Sequence, residues 1–381
     1  MDQATTSGRL LEAVRALAPS ISARSDEIER GRRLPPDLVA ELAGAGCFRM
    51  LVPRTHGGDD VALQERVRVL EELARADGST GWSVMIGSAA PELLALLPRT
   101  SFDAIYAGGA DVIAASAFNP TGTATPQADG YRVTGQWAFA SGCEHAHWFA
   151  AHCLVSDSGG PPVRMMVLPA QEVDVKDTWS VSGLAGTGSH DFVVNDVFVP
   201  GERTFALDGE ACVDGPLHRI PELSYSALGI AAVAVGIAQG AVDDILSLAT
   251  GKVPAFTEAT LASNPLFQNR YGEIDARLQA ARALLHASAG RAWAQAVACD
   301  TFTVSDRARI RGAAAWITRA AASVVDVAYT SGGGTANHLT SPLQRRLRDV
   351  HAVTQHFAVK PDTFTFAGAV LGGQDVDTAF L

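Results

Sequence analysis

From Ala227 to Val242 the chain carries no charged side chain and consists of Ala, Gly, Val, Ile and Leu around a single Gln239. The run falls short of the ~18–20 residues needed to span a bilayer, and it is rich in Ala and Gly rather than Leu. Small side chains at this density let a helix approach its neighbours closely on every side, so the run predicts a buried helix at the centre of a helical bundle rather than a membrane segment. The 381 residues, 47% hydrophobic and 19% charged, are enough for two or three domains with ample core.

The texture of the chain divides it into three. Residues 1–110 read as helical. Leu10, Leu11, Val14, Leu17, Ala18 and Ile21 recur at helical spacing. Pro35-Pro36-Asp37 opens a second helix that Gly46 stops. Leu63–Ala76 and Ser79–Leu97 predict two more. Residues 111–221 change character. Short β-type runs at 111–117, 131–140, 147–155, 164–169 and 191–199 are punctuated by Pro120, Pro126, Pro161, Pro162 and Pro200. Asp129-Gly130 predicts a hairpin turn, since Gly accepts positive φ. Residues 222–381 return to long helices at 223–250, 265–300, 304–330 and 342–359, with Gly332-Gly333-Gly334 between the last two.

The net charge of −11 excludes an extended nucleic-acid footprint, which needs a basic face. Five scattered cysteines without a CxxC pair predict no disulfide framework and a reducing, cytoplasmic setting. The first residues show neither a basic nor an apolar segment of the signal-peptide kind. No metal site is expected, because His145-x-His147 has no supporting carboxylate or Cys pair. No GxGxxG follows a strand and opens a helix, so no NAD(P)H fingerprint is present.

Two segments carry the chemistry. Tyr131–Trp148 alternates Val133, Gly135, Trp137 and Phe139 against more polar neighbours and breaks at Ser141-Gly142. Trp179-Ser-Val-Ser-Gly183-Leu-Ala-Gly186-Thr187-Gly188-Ser189 follows. Together they resemble the flavin-embracing middle domain of the acyl-CoA dehydrogenase superfamily, and more narrowly the oxygenase components of two-component, reduced-flavin-dependent monooxygenases of the 4-hydroxyphenylacetate 3-hydroxylase type. The resemblance covers essentially the whole chain. It implies a mainly α fold in three domains: an N-terminal helical domain, a middle β-barrel and a C-terminal four-helix bundle.

The same resemblance implies a role for each matching residue. Reduced FMN or FAD, delivered by a separate reductase, meets O2 and forms a C4a-hydroperoxide that hydroxylates or N-oxygenates a small organic substrate. Such chemistry needs an apolar wall, hydroxyl donors near N5 and a proton-moving side chain. Trp137, Phe139 and Trp179 are the expected wall, and Ser141 matches the serine beside N5. Ser116 matches a serine that faces the substrate. Gly186, Thr187, Gly188 and Ser189 offer N–H groups and hydroxyls to the cofactor's phosphates. Arg270 matches an arginine that reaches a neighbouring subunit's flavin in a homotetramer, and Gly333-Gly334 a turn that touches the flavin tail.

Two departures from the pattern matter. The dehydrogenases' catalytic glutamate would fall at Phe357, and no carboxylate lies between Asp349 and Asp362. His351 and His356 stand in that segment instead. One of them is expected to manage a proton near the flavin, with His351 favoured because it directly follows the Arg348-Asp349-Val turn. The phenol hydroxylases' substrate-binding histidine falls at Ala90, which leaves Glu92 or Ser88 to replace it. The alternatives to a monooxygenase are a thioester dehydrogenase with a relocated base and a degenerate binding protein.

Overall fold

The computed structural model describes residues 3–156 and 163–377, so Pro161 and Pro162 lie outside the described residues. Seven helices open the chain: α1 (Gln3–Ala23), α2 (Ser25–Gly31), α3 (Pro36–Ala45), α4 (Leu63–Ala76), α5 (Gly78–Gly87), α6 (Ala90–Leu94) and α7 (Arg99–Tyr106). The single helix expected over Ser79–Leu97 is two. Ser88 and Ala89 interrupt it, and Pro91 sits in the first turn of α6, where its missing N–H costs nothing. Asp77 caps α5 by accepting the Thr80 N–H at 2.8 Å.

Seven strands follow: β1 (Ala114–Gln127), β2 (Gly130–Trp137), β3 (Trp148–Val155), β4 (Val163–Pro169), β5 (Asp174–Lys176), β6 (Asp191–Pro200) and β7 (Thr204–Phe205). They form one sheet in the order β5-β6-β2-β1-β3-β4-β7, antiparallel except where β1 pairs with β3. Its edges are β5 and β7, so the expected barrel is an open one. Three sequence expectations need correction here. Pro120 and Pro126 lie inside β1, which tolerates Pro120 at a register shift between Ala117 and Gly122. β2 ends at Trp137, leaving Phe139 outside it. The hairpin turn falls one residue early. Gln127 pairs with Gly130, and Gly130 is needed because a Cβ there would lie 2.2 Å from the Val199 carbonyl.

The C-terminal part comprises α8 (Glu222–Gly251), α9 (Pro265–Val297), α10 (Val304–Gly332), α11 (Pro342–Thr354) and α12 (Asp362–Leu371). The uncharged run lies in α8, whose most apolar stretch is long enough to cross a membrane but is 89% buried inside the protein. It packs against α4 and α5 on one side and α9, α10 and α11 on the others, so one continuous core joins the N-terminal and C-terminal helices. A reciprocal capping box between Thr303 and Asp306 starts α10. α11 stops at Thr354, five residues short of the expected 359, so His351 and His356 do not share a helix.

Candidate active site

The loop after β5 is docked onto α11. Asp349 is buried and accepts the Leu184 N–H at 2.7 Å. Gly183 passes so close that a Cβ there would lie 2.1 Å from the Arg348 carbonyl. Arg348 pairs with Glu29 of α2 and donates to the Ser182 carbonyl. Desolvation, reinforced by Asp77, raises the Asp349 pKa to about 7.

Beyond Leu184 the turn folds inward. Gly186 sits under Ile28, where a Cβ would meet its Cγ2 at 2.2 Å. The turn uses its own N–H groups: Thr187 donates to the Leu184 carbonyl and Gly188 to that of Ala185. Gly186, Thr187, Gly188 and Ser189 are all buried. Two of the turn's N–H groups are thus already used; close packing requires Gly186, and a left-handed backbone with φ of 51° favours Gly188. The hydroxyls point elsewhere. Thr187 Oγ1 donates to the Leu184 carbonyl at 2.8 Å and lies 2.7 Å from Ser189 Oγ. Ser189 Oγ lies 2.7 Å from Ser141 Oγ, and Ser141 accepts the Trp82 Nε1–H at 3.0 Å. Thr187 and Ser189, expected at the phosphates, thus join Ser141.

Ser141 keeps 9% of its surface, two residues after an outward-facing aromatic ring. Phe139 has φ of 67°, a conformation costly for a bulky residue, which turns its ring out to 66% exposure. It meets Trp179 edge-on at 6.1 Å. Trp179 is anchored through its Nε1–H to the Leu184 carbonyl. Trp137 does not belong to this wall. It is 1% exposed, stacks on Phe192 inside the sheet and donates to the His152 carbonyl at 2.8 Å. The period-2 pattern of β2 ended before Phe139, which is why Trp137 points into the core and Phe139 does not.

The two histidines part company. His351 is exposed at the surface, its Nε2 2.8 Å from Asp326. His356 is enclosed, with its ring edge-on to Trp82 at 5.7 Å. Desolvation, with Arg311 nearby, lowers its pKa to about 4. Its Nδ1 accepts the Ala358 N–H, so the neutral ring carries its proton on Nε2. Of the two, His356 is the one that lies against Trp82 and so in contact with the Ser141 side.

A charged cluster lies inside the helical core between α4, α6 and α8. The Arg66 guanidinium sits 4.2 Å over the Tyr225 ring and donates to the Met85 carbonyl. Its Nε and Nη1 have no hydrogen-bond partner, nor has Tyr225 Oη. Burial lowers the Arg66 pKa and, aided by Glu222, pushes Glu92 well up, so Glu92 favours its neutral form. Glu92, Glu222 and His356 are deeply enclosed yet keep some accessible surface. Ser88 is fully buried with its hydroxyl directed at the Met85 carbonyl. Sequence reasoning missed Trp82, Arg66, Tyr225 and Glu222. Arg66 was findable: it interrupts the apolar stripe Leu63, Val67, Leu70 on the inner face of α4.

The remaining expected residues lie outside this constellation. Ser116 is half-buried in β1 opposite Ala150. Arg270 is exposed near the start of α9, and Gly333-Gly334 are exposed at the end of α10, with Gly333 at φ of 56°. A surface cleft of about 650 Å³ beside Arg32, Arg33, Glu144 and His190 holds none of the expected residues. Its charges are already paired, Arg33 with Glu144 and Arg32 with Asp177. Among the described residues no group of three His, Cys, Asp or Glu could hold a metal.

Known proteins resemble this chain in sequence and fold. Residues 7–96 match the N-terminal domain and residues 228–361 the C-terminal domain of acyl-CoA dehydrogenase. The chain is 32% identical to indole-3-acetate monooxygenase of Pseudomonas putida, over 92% of this chain and 90% of that one. It is also 32% identical to the oxygenase component of FADH2-dependent resorcinol hydroxylase of a Rhizobium species, over 96% and 93%. The structure of XiaF from Streptomyces in complex with FADH2 and glycerol superimposes with a TM-score of 0.92 at 25% identity, covering 98% of this chain and 97% of that one. The chain belongs to the acyl-CoA dehydrogenase family, among its flavin-dependent monooxygenase oxygenase components.

Proposed function

We propose that this chain is the oxygenase component of a two-component monooxygenase, which takes reduced FMN or FAD from a separate reductase and uses O2 to hydroxylate or N-oxygenate a small organic substrate. The observation that carries this reading is the Ser141 hydroxyl, hydrogen-bonded to Trp82 and Ser189 and two residues after Phe139, whose outward ring meets Trp179. These groups fit a planar, amphipathic ring with a hydrogen-bonding edge. When bound, reduced flavin supplies the two electrons that activate O2. With flavin bound, Ser141 would accept a hydrogen bond at the flavin's N5 edge, and Phe139 and Trp179 would shield the flavin ring from water. His356 offers a fixed Nε2–H inside the same enclosed region, on the far side of Trp82. A neutral imidazole there donates a hydrogen bond to the reacting oxygen without adding charge.

The substrate is expected against the Arg66–Tyr225 cluster beside Glu92 and Glu222, because the unpartnered Arg66 Nε and Nη1 and Tyr225 Oη would cost free energy if nothing met them. Ser116 stays a candidate on the sheet side. The dehydrogenase alternative gains nothing at Phe357, which is a half-exposed ring.

A homotetramer is the expected assembly. Val253, Phe256, Leu266 and Leu339 are exposed around the start of α9 and the end of α10, near Arg270 and Gly333-Gly334. A second subunit covering these side chains would bring its flavin tail to Arg270. Five free cysteines suit a reducing cytoplasm. The domain boundaries we assign, near 110 and 221, coincide with the change from helix to sheet and back.

The test supplies reduced FMN or FAD anaerobically, admits ¹⁸O2 and follows a panel that includes indole-3-acetate and resorcinol by mass spectrometry. Incorporation of one labelled oxygen atom into a panel member is the expected result. Release of hydrogen peroxide alone, with no binding of reduced flavin, would overturn the reading.

A further inference from the structure

The hydroxyl chain from Leu184 to Trp82 has a fixed direction. A hydroxyl oxygen 2.8 Å from a carbonyl oxygen must donate, since two oxygens that close repel unless a hydrogen lies between them. Thr187 therefore places its only hydrogen on the Leu184 carbonyl. Thr187 and Ser189 are 2.7 Å apart, so Ser189 must be the donor in that contact. Ser189 and Ser141 are also 2.7 Å apart, and with its own hydrogen committed Ser189 can only accept from Ser141. Indole N–H groups never accept, so Trp82 fills one lone pair of Ser141 from the other side. What remains on Ser141 is a single lone pair. Any group set against its open face has to donate.

Reduced and oxidised flavins differ in this respect at N5. The reduced ring carries N5–H, a donor, whereas oxidised N5 presents a lone pair. We propose that Thr187 and Ser189 are positioning residues that make Ser141 a pure acceptor and thereby select reduced over oxidised flavin. The inference rests on the flavin reading above and adds to it the basis of redox selectivity. To receive oxidised flavin, Ser141 would have to give up its hydrogen bond to Ser189, 2.7 Å away, unless Ser189 and Thr187 rotated as well. Rotation of all three would leave the Thr187 and Leu184 oxygens 2.8 Å apart with no hydrogen between them. The anchor is held from both sides. Asp349 grips the Leu184 N–H, and Trp179 Nε1–H and the Thr187 N–H also point at the Leu184 carbonyl.

The experiment measures dissociation constants of oxidised and anaerobically reduced FMN and FAD for the parent protein and for Thr187→Val, Thr187→Ser and Ser189→Ala. Thr187→Val removes the anchor and Ser189→Ala cuts the relay, and either frees the Ser141 hydrogen to turn outward. Each should tighten oxidised flavin by roughly 3- to 10-fold, the scale of one net hydrogen bond, while reduced flavin changes far less. Thr187→Ser keeps the hydroxyl and should keep the parental ratio. A merely structural role would weaken both redox forms together and leave their ratio unchanged, which overturns the proposal. So does a parent protein that binds the two forms equally. A parent that binds neither form overturns the flavin reading itself. Should Thr187→Val fail to fold, Ser189→Ala decides the matter alone.

Discussion

Asp349 Oδ1 receives the Leu184 N–H at 2.7 Å, and through this contact a bundle helix sets the geometry of a loop in the sheet domain. Leu184 adopts a left-handed backbone with φ of 52°, uncommon for a branched aliphatic residue. Its carbonyl anchors both the Trp179 ring and the Thr187 hydroxyl. Through Leu184, Asp349 thus supports the Trp179 ring and the hydroxyl chain together.

The first prediction concerns the charge on Asp349. Its pKa is raised to about 7, against ~3.9 in an unfolded chain. The folded state holds the proton more tightly, so the stabilisation is fully present below about pH 4 and is lost as pH rises through about 7. Asp349→Asn never ionises, and its amide oxygen can still accept the Leu184 N–H. The variant should gain on the parent by on the order of 2–4 kcal/mol between pH 4 and pH 8. Chemical denaturation at several pH values measures this difference, and parallel curves would contradict it.

The second prediction separates two aromatic residues of one sequence pattern. Trp137→Ala empties a site in the sheet core and should cost about 3–5 kcal/mol of stability. Phe139→Ala removes an exposed ring and keeps a Cβ at the same positive φ, so thermal stability should change little while flavin binding weakens. Calorimetry and flavin titration of both variants give the readout. Loss of stability in Phe139→Ala comparable to that in Trp137→Ala would place Phe139 in the core as well.

Helical and strand periodicity revealed most of the fold, because the core is large and its stripes are long. The uncharged run of α8 and the span of α4 were legible to within a few residues. The exceptions are informative. A break at Ser88-Ala89 and an early stop at Thr354 arise from tertiary contacts and from Pro91, which apolar spacing does not register. Ser141 and Trp179 could be located by motif, but the partners of Ser141 could not. Trp82 lies 59 residues away on another domain, and the inward turn of Thr187 and Ser189 depends on Ile28 and Asp349. Arg66 was visible as a cation in an apolar stripe, yet only the fold shows that two of its nitrogens are unpartnered.

The third prediction concerns Arg66. Arg66→Met keeps much of the volume and removes a charge whose burial is unfavourable, so the folded protein should be as stable as the parent or more so. Substrate recognition should suffer. Losing one charge-assisted hydrogen bond, about 1.5–3 kcal/mol, raises KM by roughly 10- to 100-fold. Flavin binding, on the other side of Trp82, should be unchanged. A variant with parental KM would show that Arg66 is a structural cation and that the substrate lies elsewhere.

The last prediction addresses the histidines. His351 is exposed and paired with Asp326, so His351→Ala should alter product formation by less than about twofold, the usual outcome for a surface ion pair. His356 is enclosed beside Trp82, and His356→Ala should reduce coupled product formation by ~10²-fold or more, the scale of a lost proton-handling group. Peroxide release should rise as product falls. The pH dependence follows from the lowered pKa of about 4. An imidazole that binds its proton less tightly when folded stabilises the protein above the unfolded value of ~6.5, and that contribution is lost as pH falls through about 4. His356 therefore stays neutral from pH 6 to pH 9, and no inflection in the rate over that range should disappear in His356→Ala. A coupled-turnover profile that loses an inflection near neutrality in this variant would mean that the ring titrates in the working enzyme, and the role of fixed neutral donor would fall.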